Sequence, residues 1–386
     1  MRALVVGACL ALGALGARAQ GVAPDPVAPA PAGDTVVGVR TSYYEQRDAG
    51  GRDGNPFLRE DVVVVEPAIL FSTKLGDDVK VSALFSHDYV SAASIDRLQN
   101  YPQQSGASGD TYFGLDLGLD VQVDDEVAVG GTIHAAGEAD YASGGLSGRV
   151  SVAPAPATRV TLSLDVYHDY VRRTRFDGTT DGWKARDTDT LSVSVYRALT
   201  PWLHAEVGYS FSRQAGELET NFNAVVLEGG QPNPLLTDQF RGTEVREDVP
   251  DHRLRHAGEV RASVLVRRGT ALDLGLAGYA DSWGLSSFSV EPGVRHWLVE
   301  GALLVRVGYR YMRQHGTDYS RDHFRAPAPY HRTQDPDLDS FDLHSVGLKL
   351  VWHVAPGWAI DVAGDLGWRS DGLDQRWLGS GVRWEF

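Results

Sequence analysis

Alternation of apolar and polar residues with a period of two runs through this chain and constrains its fold more than any other feature. The clearest example is Phe113 to Val123, where odd-numbered residues are apolar or aromatic and even-numbered ones are Gly, Asp or Gln. Successive side chains of a strand point to opposite faces, so this segment predicts a β-strand with one apolar and one polar face. From Asp34 to Phe386 helical periodicity is almost absent, so we expect an all-β fold.

The alternating segments after Asp34 number sixteen, and turn-forming residues separate them. An even number is what bacterial transmembrane barrels have. The predicted strands are 35–47, 59–74, 79–91, 111–123, 127–141, 144–153, 158–173, 188–199, 202–213, 256–267, 270–283, 285–298, 302–314, 340–354, 358–370 and 375–386.

The predicted connections separate by length according to strand parity. Every connection after an even-numbered strand is short, whereas the long ones, 92–110, 174–187, 214–255 and 315–339, all follow odd-numbered strands. A soluble sandwich has no reason to show this separation, but outer-membrane barrels have short periplasmic turns and long extracellular loops. We therefore predict a transmembrane antiparallel up-and-down β-barrel over residues 34–386.

The first 33 residues predict export. Residues 1–19 begin with Arg2, continue with an apolar run and end in Ala17-Arg18-Ala19, the pattern of a secretory signal peptide. Residues 20–33 form a Pro/Ala-rich linker. Cys9, the only cysteine, lies in the predicted signal, so we expect no disulfide or thiol chemistry in the mature chain.

The charge balance bears on partners. Asp and Glu number 51 against 36 Lys and Arg, a formal net charge of −15. Such an excess of acid disfavours nucleic acid as a partner.

The C-terminal strand resembles the signal that the barrel-assembly machinery reads in outer-membrane barrels. Gly381, Trp384 and Phe386 match that pattern, while Gly379 departs from it at the polar position. The resemblance implies the outer membrane of a Gram-negative bacterium as the location. It also implies the assembly machinery, outer-membrane lipid and lipopolysaccharide as partners. We expect this strand to pair with 35–47, with Trp384 toward lipid and Arg383 toward the lumen.

Aromatic residues cluster near the predicted strand ends, which suggests two membrane interfaces. At the tight-turn end they are Trp202, Trp297, Trp352, Trp358, Trp384 and Phe386, and at the long-loop end Tyr43, Tyr89, Tyr112, Tyr141, Tyr170, Trp283, Tyr311 and Trp368.

Strand parity also predicts the lining of the lumen. A Lys or Arg facing lipid at mid-depth costs roughly 2–4 kcal/mol, so charged residues opposite the apolar face should point inward. They either bias what passes through a pore or form ion pairs that stiffen the wall, and both interpretations stay open. The residues are Asp116, Asp120, Asp165, Glu206, Glu259, Arg261, Asp273, Glu291, Arg295, Arg306, Arg310, Lys349, Asp361, Asp365 and Arg383.

Three segments, Tyr43–Arg47, Arg59–Pro67 and Val81–Ser94, resemble an exported family known as domain of unknown function 3570. The resemblance implies an outer-membrane barrel and carries no catalytic residues. Some members are encoded near flavin-attaching enzymes, so it also implies an association with envelope redox biology.

Candidate chemistry is sparse. His87-Asp88 and His168-Asp169 lie near the rim, where a hydrolase would activate water, but neighbours on a strand point to opposite faces. Asp335–Asp339 has the alternating acids of a calcium loop without its following Gly and distal Glu, which favours a solvated acidic loop. No cofactor motif occurs, so we expect neither metal nor cofactor.

These patterns predict a porin-like channel for small polar solutes and no enzyme. A non-conducting structural or assembly partner of an envelope complex, including a redox-linked one, is the alternative, and a rim-active hydrolase is a third. Loop 214–255 either constricts the lumen or projects as a receptor, and the oligomeric state stays open.

Overall fold

The computed structural model describes residues 34–48, 62–92, 110–175, 179–221, 223–228 and 242–386. The predicted signal 1–19 with Cys9, the linker 20–33 and most of loop 92–110 lie outside the described residues. No helix among the described residues has the length and apolar character needed to span a membrane.

The described residues form nineteen strands. They are β1 (Thr35–Asp48), β2 (Val62–Leu75), β3 (Val79–Ala92), β4 (Asp110–Gln122), β5 (Val127–Glu138), β6 (Tyr141–Ala155), β7 (Thr158–Thr174), β8 (Thr180–Thr200), β9 (Leu203–Gly216), β10 (Ala224–Glu228), β11 (Gly242–Arg246), β12 (His252–Arg267), β13 (Thr270–Asp281), β14 (Ser286–Val299), β15 (Leu303–His315), β16 (Phe324–Arg325), β17 (Phe341–Ala355), β18 (Trp358–Arg369) and β19 (Leu373–Glu385).

Sixteen of these strands close into one barrel, and each pairs with its neighbours in antiparallel register. This confirms the predicted all-β antiparallel barrel and its strand number. The main difference in bounds is β8, which begins at Thr180 because its hairpin with β7 extends to Thr174.

The barrel closes between its first and last strands, as predicted. Val37 lies opposite Trp384, and the backbone N–H of Thr35 donates to the carbonyl of Phe386 at 2.9 Å. This pairing leaves β1 and β19 with partners on both sides, so the barrel has no open edge.

The two ends of the barrel differ as the sequence predicts. At the turn end, connections such as 268–269 and 356–357 contain Gly269 and Gly357 with φ of 76° and 74°, a region that favours glycine. At the loop end lie the long connections, including 217–251 and 316–340.

The outer face of the barrel is apolar and exposed. Leu115, Leu117 and Leu119 on β4 are 40%, 49% and 48% exposed, and Ile133 on β5 is 61% exposed. Similar side chains on the same face of the other strands form an apolar belt. Soluble monomers rarely expose so large an apolar area, whereas lipid accommodates it.

The predicted aromatic band at the turn end is largely on this outer face. Trp202, Trp352, Trp358 and Trp384 are exposed, and the rings of Trp358 and Trp384 stack at 5.3 Å between centroids. Phe386 is 53% exposed and packs on Trp384. Trp297 was placed wrongly, because it lies on the inward face and is buried.

The band at the loop end needs a larger correction. Tyr89, Tyr170 and Trp368 are exposed on the outer face, and Tyr43 and Tyr311 share that face. The prediction is wrong for the other three residues of this band, Tyr112, Tyr141 and Trp283. Tyr112 and Tyr141 share the parity of inward-facing neighbours, and Trp283 is buried among loop residues.

Three short strands lie outside the barrel and were missed in the sequence. They form a sheet in the order β11-β10-β16, whose buried core is Val225, Leu227 and Phe324. β10 and β11 belong to connection 217–251 and β16 to connection 316–340. We call the described residues of these two connections the cap.

Candidate functional site

The inward face of the barrel carries all fifteen charged residues that strand parity places there. Each alternates with exposed apolar residues on its strand, so it lies on the opposite face of the closed sheet. These residues are Asp116, Asp120, Asp165, Glu206, Glu259, Arg261, Asp273, Glu291, Arg295, Arg306, Arg310, Lys349, Asp361, Asp365 and Arg383.

The interior of the barrel admits solvent. Arg306 and Arg383 are exposed although they face inward. The side chains of Arg149 and Arg40, which lie five strands apart on the inner wall, retain 50% and 41% of their accessible surface. A barrel filled by packed side chains would bury these guanidinium groups.

Many inward charges are paired with a neighbour. Arg295 donates to both carboxylate oxygens of Asp273, at 2.8 and 2.9 Å. Arg310 lies 3.2 Å from Glu291 on the adjacent strand. Arg261 donates to Glu259 on the same strand at 3.1 Å. Glu206 lies directly opposite Arg261 on the adjacent strand.

Two ion pairs reach across an intervening strand. Arg40 on β1 donates to Asp361 on β18 at 2.9 Å, passing over Gly381 of β19. A Cβ at Gly381 would lie 2.8 Å from Asp361 Oδ2, so only glycine leaves room for the pair. Gly130 has the same position beneath the pair of Arg149 and Asp120.

Several other predicted residues lie close to polar neighbours. Asp361 also lies 3.7 Å from the ammonium group of Lys349, and Asp116 lies 2.7 Å from Nδ1 of His134. Asp365 is next to Gly347, and Asp165 faces Ser147 and Thr190 on the neighbouring strands.

The two His-Asp sequences do not form dyads. His87 stacks on the outward Phe113, whereas Asp88 is buried on the inward face and accepts from the backbone N–H of Tyr112. Likewise His168 contacts Asp187. Asp169 instead binds Arg186 on the inward face.

The cap is anchored on the barrel wall at β7. Arg173, an inward-facing residue that is only 1% exposed, donates to the carbonyl of Thr220 at 3.0 Å and pairs with Glu219. Asn221 adds two bonds, donating to the carbonyl of Arg172 and accepting from the backbone N–H of Thr174. These contacts fix the start of connection 217–251.

A second anchor lies on β18. Arg369 is buried, stacks over the ring of Phe341 at 3.8 Å and pairs with Asp337 and Asp371. It also donates to the carbonyl of Pro336 at 3.0 Å. These contacts fix the end of connection 316–340.

An apolar cluster supports the cap between these anchors. Val249 and Leu338 from the two cap connections pack with Trp283 and Leu285, and the inward-facing Tyr279 lies against them. Trp283 also donates its ring N–H to the carbonyl of His252 at 2.8 Å. The wall at β13 and β14 therefore holds the cap as well.

Hydrogen bonds join the two anchors across the mouth. Thr220, held by Arg173, donates its hydroxyl to Asp335 at 3.1 Å. Asp335 accepts the backbone N–H of Asp337 at 2.9 Å, and Asp337 pairs with Arg369. Since β7 and β18 are eight strands apart in the sixteen-stranded order, this path spans the barrel mouth.

Two buried carboxyl groups lie at the centre of the cap. Glu247 accepts from the Thr333 hydroxyl at 2.6 Å and from the Thr220 N–H at 3.0 Å. Burial, and then the negative charge of Asp335, raise the pKa of Glu247 to about 7. Burial and Asp337 raise the pKa of Asp335 as well.

The prediction that residues 335–339 form a solvated acidic loop is therefore wrong for Asp335, which is buried. Asp335 is 2% exposed and accepts hydrogen bonds from Thr220, Asn223 and the backbone of Asp337. In the part of the chain that the structure describes, no group of three metal-binding side chains occurs. Residues 229–241, in the middle of the predicted loop 214–255, lie outside the described residues.

A sequence model of the family described as "Protein of unknown function (DUF3570)" matches residues 158–371. The match covers more than half of the chain and agrees with the family that the sequence resembles. No curated protein matches the chain.

Several solved structures resemble this one in fold. A bacterial polysaccharide outer membrane secretin matches with a TM-score of 0.52 and 8% identity, over 91% of this chain and 98% of that one. The siderophore receptor PirA of Pseudomonas aeruginosa has a TM-score of 0.43 and 13% identity, over 88% of this chain and 56% of the receptor. OccAB3 of Acinetobacter baumannii has a TM-score of 0.44 and 9% identity, over 91% and 99%. This chain thus spans about half the length of the siderophore receptor.

Proposed function

We propose that this chain, which belongs to the family described as protein of unknown function DUF3570, forms an outer-membrane channel for small polar solutes. The observation that carries the proposal is the solvated, charged inner face of a closed barrel. Arg306 and Arg383 remain exposed there, so water and polar solutes find hydrogen-bonding partners along the wall.

The location is part of the proposal. The exposed apolar belt on the outer face supports insertion into a bilayer. Gly381, Trp384 and Phe386 support delivery by the barrel-assembly machinery to the outer membrane of a Gram-negative bacterium. Lipid and lipopolysaccharide would then surround the belt and the loop end.

The cap gives this channel a gate. Because Arg173 and Arg369 hold it on opposite walls, the cap stands in the path of a solute that enters at the loop end. Passage then requires the cap to move away from one anchor, or the solute to pass beside it.

The same cap favours a second function. A barrel whose mouth stays spanned serves as a non-conducting structural or assembly partner of an envelope complex, and then the cap provides a fixed outer surface. The path from Thr220 through Asp335 to Asp337 is the specific observation in its favour.

Proteoliposome swelling tests the proposal. Vesicles that contain the purified barrel should swell in solutions of small sugars and amino acids, at rates that fall with solute size. Vesicles that do not swell in any of these solutes, even after the anchor Arg369 is changed to Ala, would support the structural partner instead.

A further inference from the structure

Three cations lie side by side on the inner wall near the turn end. Arg306 on β15 is directly opposite Arg295 on β14 and directly opposite Lys349 on β17. All three face inward, and like charges placed directly opposite each other destabilise a sheet. Negative charge near the three cations is therefore needed to offset their repulsion.

The outer two cations have acidic partners. Arg295 is bound to Asp273, and Lys349 lies 3.7 Å from Asp361, which Arg40 also binds. Arg306 has no ion pair or hydrogen bond with any residue that the structure describes, and it is exposed. Ion pairs that stiffen the wall thus explain the positions of Arg295 and Lys349 but not that of Arg306.

A row of glycines runs beside the three cations. Gly308 on β15 is directly opposite Gly293 and Gly347, and each glycine is two residues from its strand's cation. A Cβ at Gly308 would meet nothing within 4 Å. Neighbouring strands are about 4.8 Å apart and alternate residues about 7 Å, so this floor is roughly 10 Å wide and about 7 Å from the cations.

The far side of the glycine row is polar as well. Arg310 and Glu291 form an ion pair there, and Asp365 lies against Gly347. The result is a shallow groove with open space above Gly308. The unpaired guanidinium of Arg306 lies on one side, and the Arg310–Glu291 ion pair and the Asp365 carboxyl group lie on the other. Its size suits a small solute held against the wall.

We propose that this groove is a binding site for small solutes that carry a carboxylate or phosphate group. The planar guanidinium of Arg306 presents paired N–H donors that match either oxyanion, and an anion there relieves the repulsion along the row. This site rests on the proposed channel and names the class of solute that the channel carries. Because the groove lies near the turn end, a solute that enters at the loop end would reach it at the inner end of the channel.

Equilibrium binding to the purified full-length protein in detergent tests the site without any need for conduction. Inorganic phosphate and succinate serve as separate probes, followed by the broadening of their NMR signals. Binding of either probe should weaken at least tenfold in Arg306→Gln, and Arg306→Lys should lose less. Whether phosphate, succinate or both bind then identifies the class of anion that the site accepts.

Two matched controls separate the site from general charge and folding effects. Arg149→Gln removes an inward Arg that is already paired with Asp120, so binding should stay within twofold. Gly308→Val should fill the groove and weaken binding, whereas Gly148→Val, on the outward face with open space around it, should not.

The outcomes distinguish the site from the channel. A barrel that conducts ions but binds neither anion, or binds them equally well after Arg306→Gln, overturns the site and leaves the channel. A barrel that binds an anion through Arg306 but never conducts supports the site and overturns the channel.

Discussion

Arg173 and Arg369 lie eight strands apart on the inner wall of the sixteen-stranded barrel, and both hold the same cap. Neither guanidinium contacts the other, but Thr220, Asp335 and Asp337 link them by hydrogen bonds. Both arginines are buried, so removing either one would leave the charge of its carboxylate partners without a counter-ion. Each anchor therefore resists disruption. The position of the cap across the mouth therefore depends on these polar contacts together with the apolar cluster around Trp283.

A disulfide between the two connections of the cap should lock it. Asp248 and Arg332 form a hydrogen-bonded antiparallel pair, with N–H to carbonyl distances of 3.1 and 2.7 Å. Such pairs have Cα atoms about 5.5 Å apart, within the range that a disulfide bridges. In the Asp248→Cys/Arg332→Cys variant we expect oxidation to lower ion conductance and reduction to restore it.

The single cysteine variants are the controls for this lock and should not respond to reductant. Equal conductance of the oxidised and reduced double variant, with the disulfide verified by mass spectrometry, would show that cap movement does not control passage.

The cap should loosen as pH rises. The pKa of Glu247 is about 7, above its ordinary value of 4.5. The folded cap is therefore more stable when the Glu247 carboxyl group is protonated. Its stabilising contribution is complete below about pH 4.5 and is lost as pH rises through about 7, by at most about 3 kcal/mol. Amide hydrogen exchange at Val225 and Leu227 should therefore accelerate between about pH 5 and pH 7, beyond the intrinsic effect of pH, and show no further extra acceleration above that range.

Glu247→Gln is the matched variant for this pH dependence. It keeps the shape of the side chain and removes the titration, so the extra acceleration should disappear. Persistence of the same pH effect in Glu247→Gln would assign it to another group.

Gly381 should matter for the stability of the folded barrel as well as for its assembly. In Gly381→Ala the added Cβ would displace Asp361 from Arg40, and we expect a loss of about 1–3 kcal/mol in the free energy of unfolding. Urea unfolding in lipid vesicles measures it. In an Asp361→Ala background the loss should fall by at least half, as expected for residues in contact.

Gly148→Ala is the control, because its Cβ meets nothing within 4 Å and alanine relieves the entropy cost of glycine in a strand. An unchanged free energy of unfolding for Gly381→Ala, with a lower yield of folded barrel in cells, would assign Gly381 to assembly alone.

The barrel was predictable from the sequence because each strand has lipid on one side and solvent on the other. Alternation such as that of Phe113 to Val123 follows directly from this environment, and it also fixes the inward position of Arg306. The same parity rule, applied to Tyr112, would have placed that residue inward and avoided the error in the aromatic band.

The cap was not predictable in the same way. Its sheet joins Leu227 with Phe324 across almost a hundred residues, and no local period marks such a contact. The apolar run Ala224–Leu227 was a usable signal, since four consecutive apolar residues in a solvated loop would be unfavourable. The burial of Asp335 depends on Thr220 and Asn223, partners that local sequence does not reveal.

Single-channel recording in planar bilayers tests the channel most directly, with wild type compared with the Arg173→Ala/Arg369→Ala variant. Heat-modifiable migration in gels verifies that both barrels are folded. We predict discrete current steps for wild type and at least a twofold increase in mean current when both anchors of the cap are removed. A bilayer that stays sealed at all voltages with both proteins would contradict the channel.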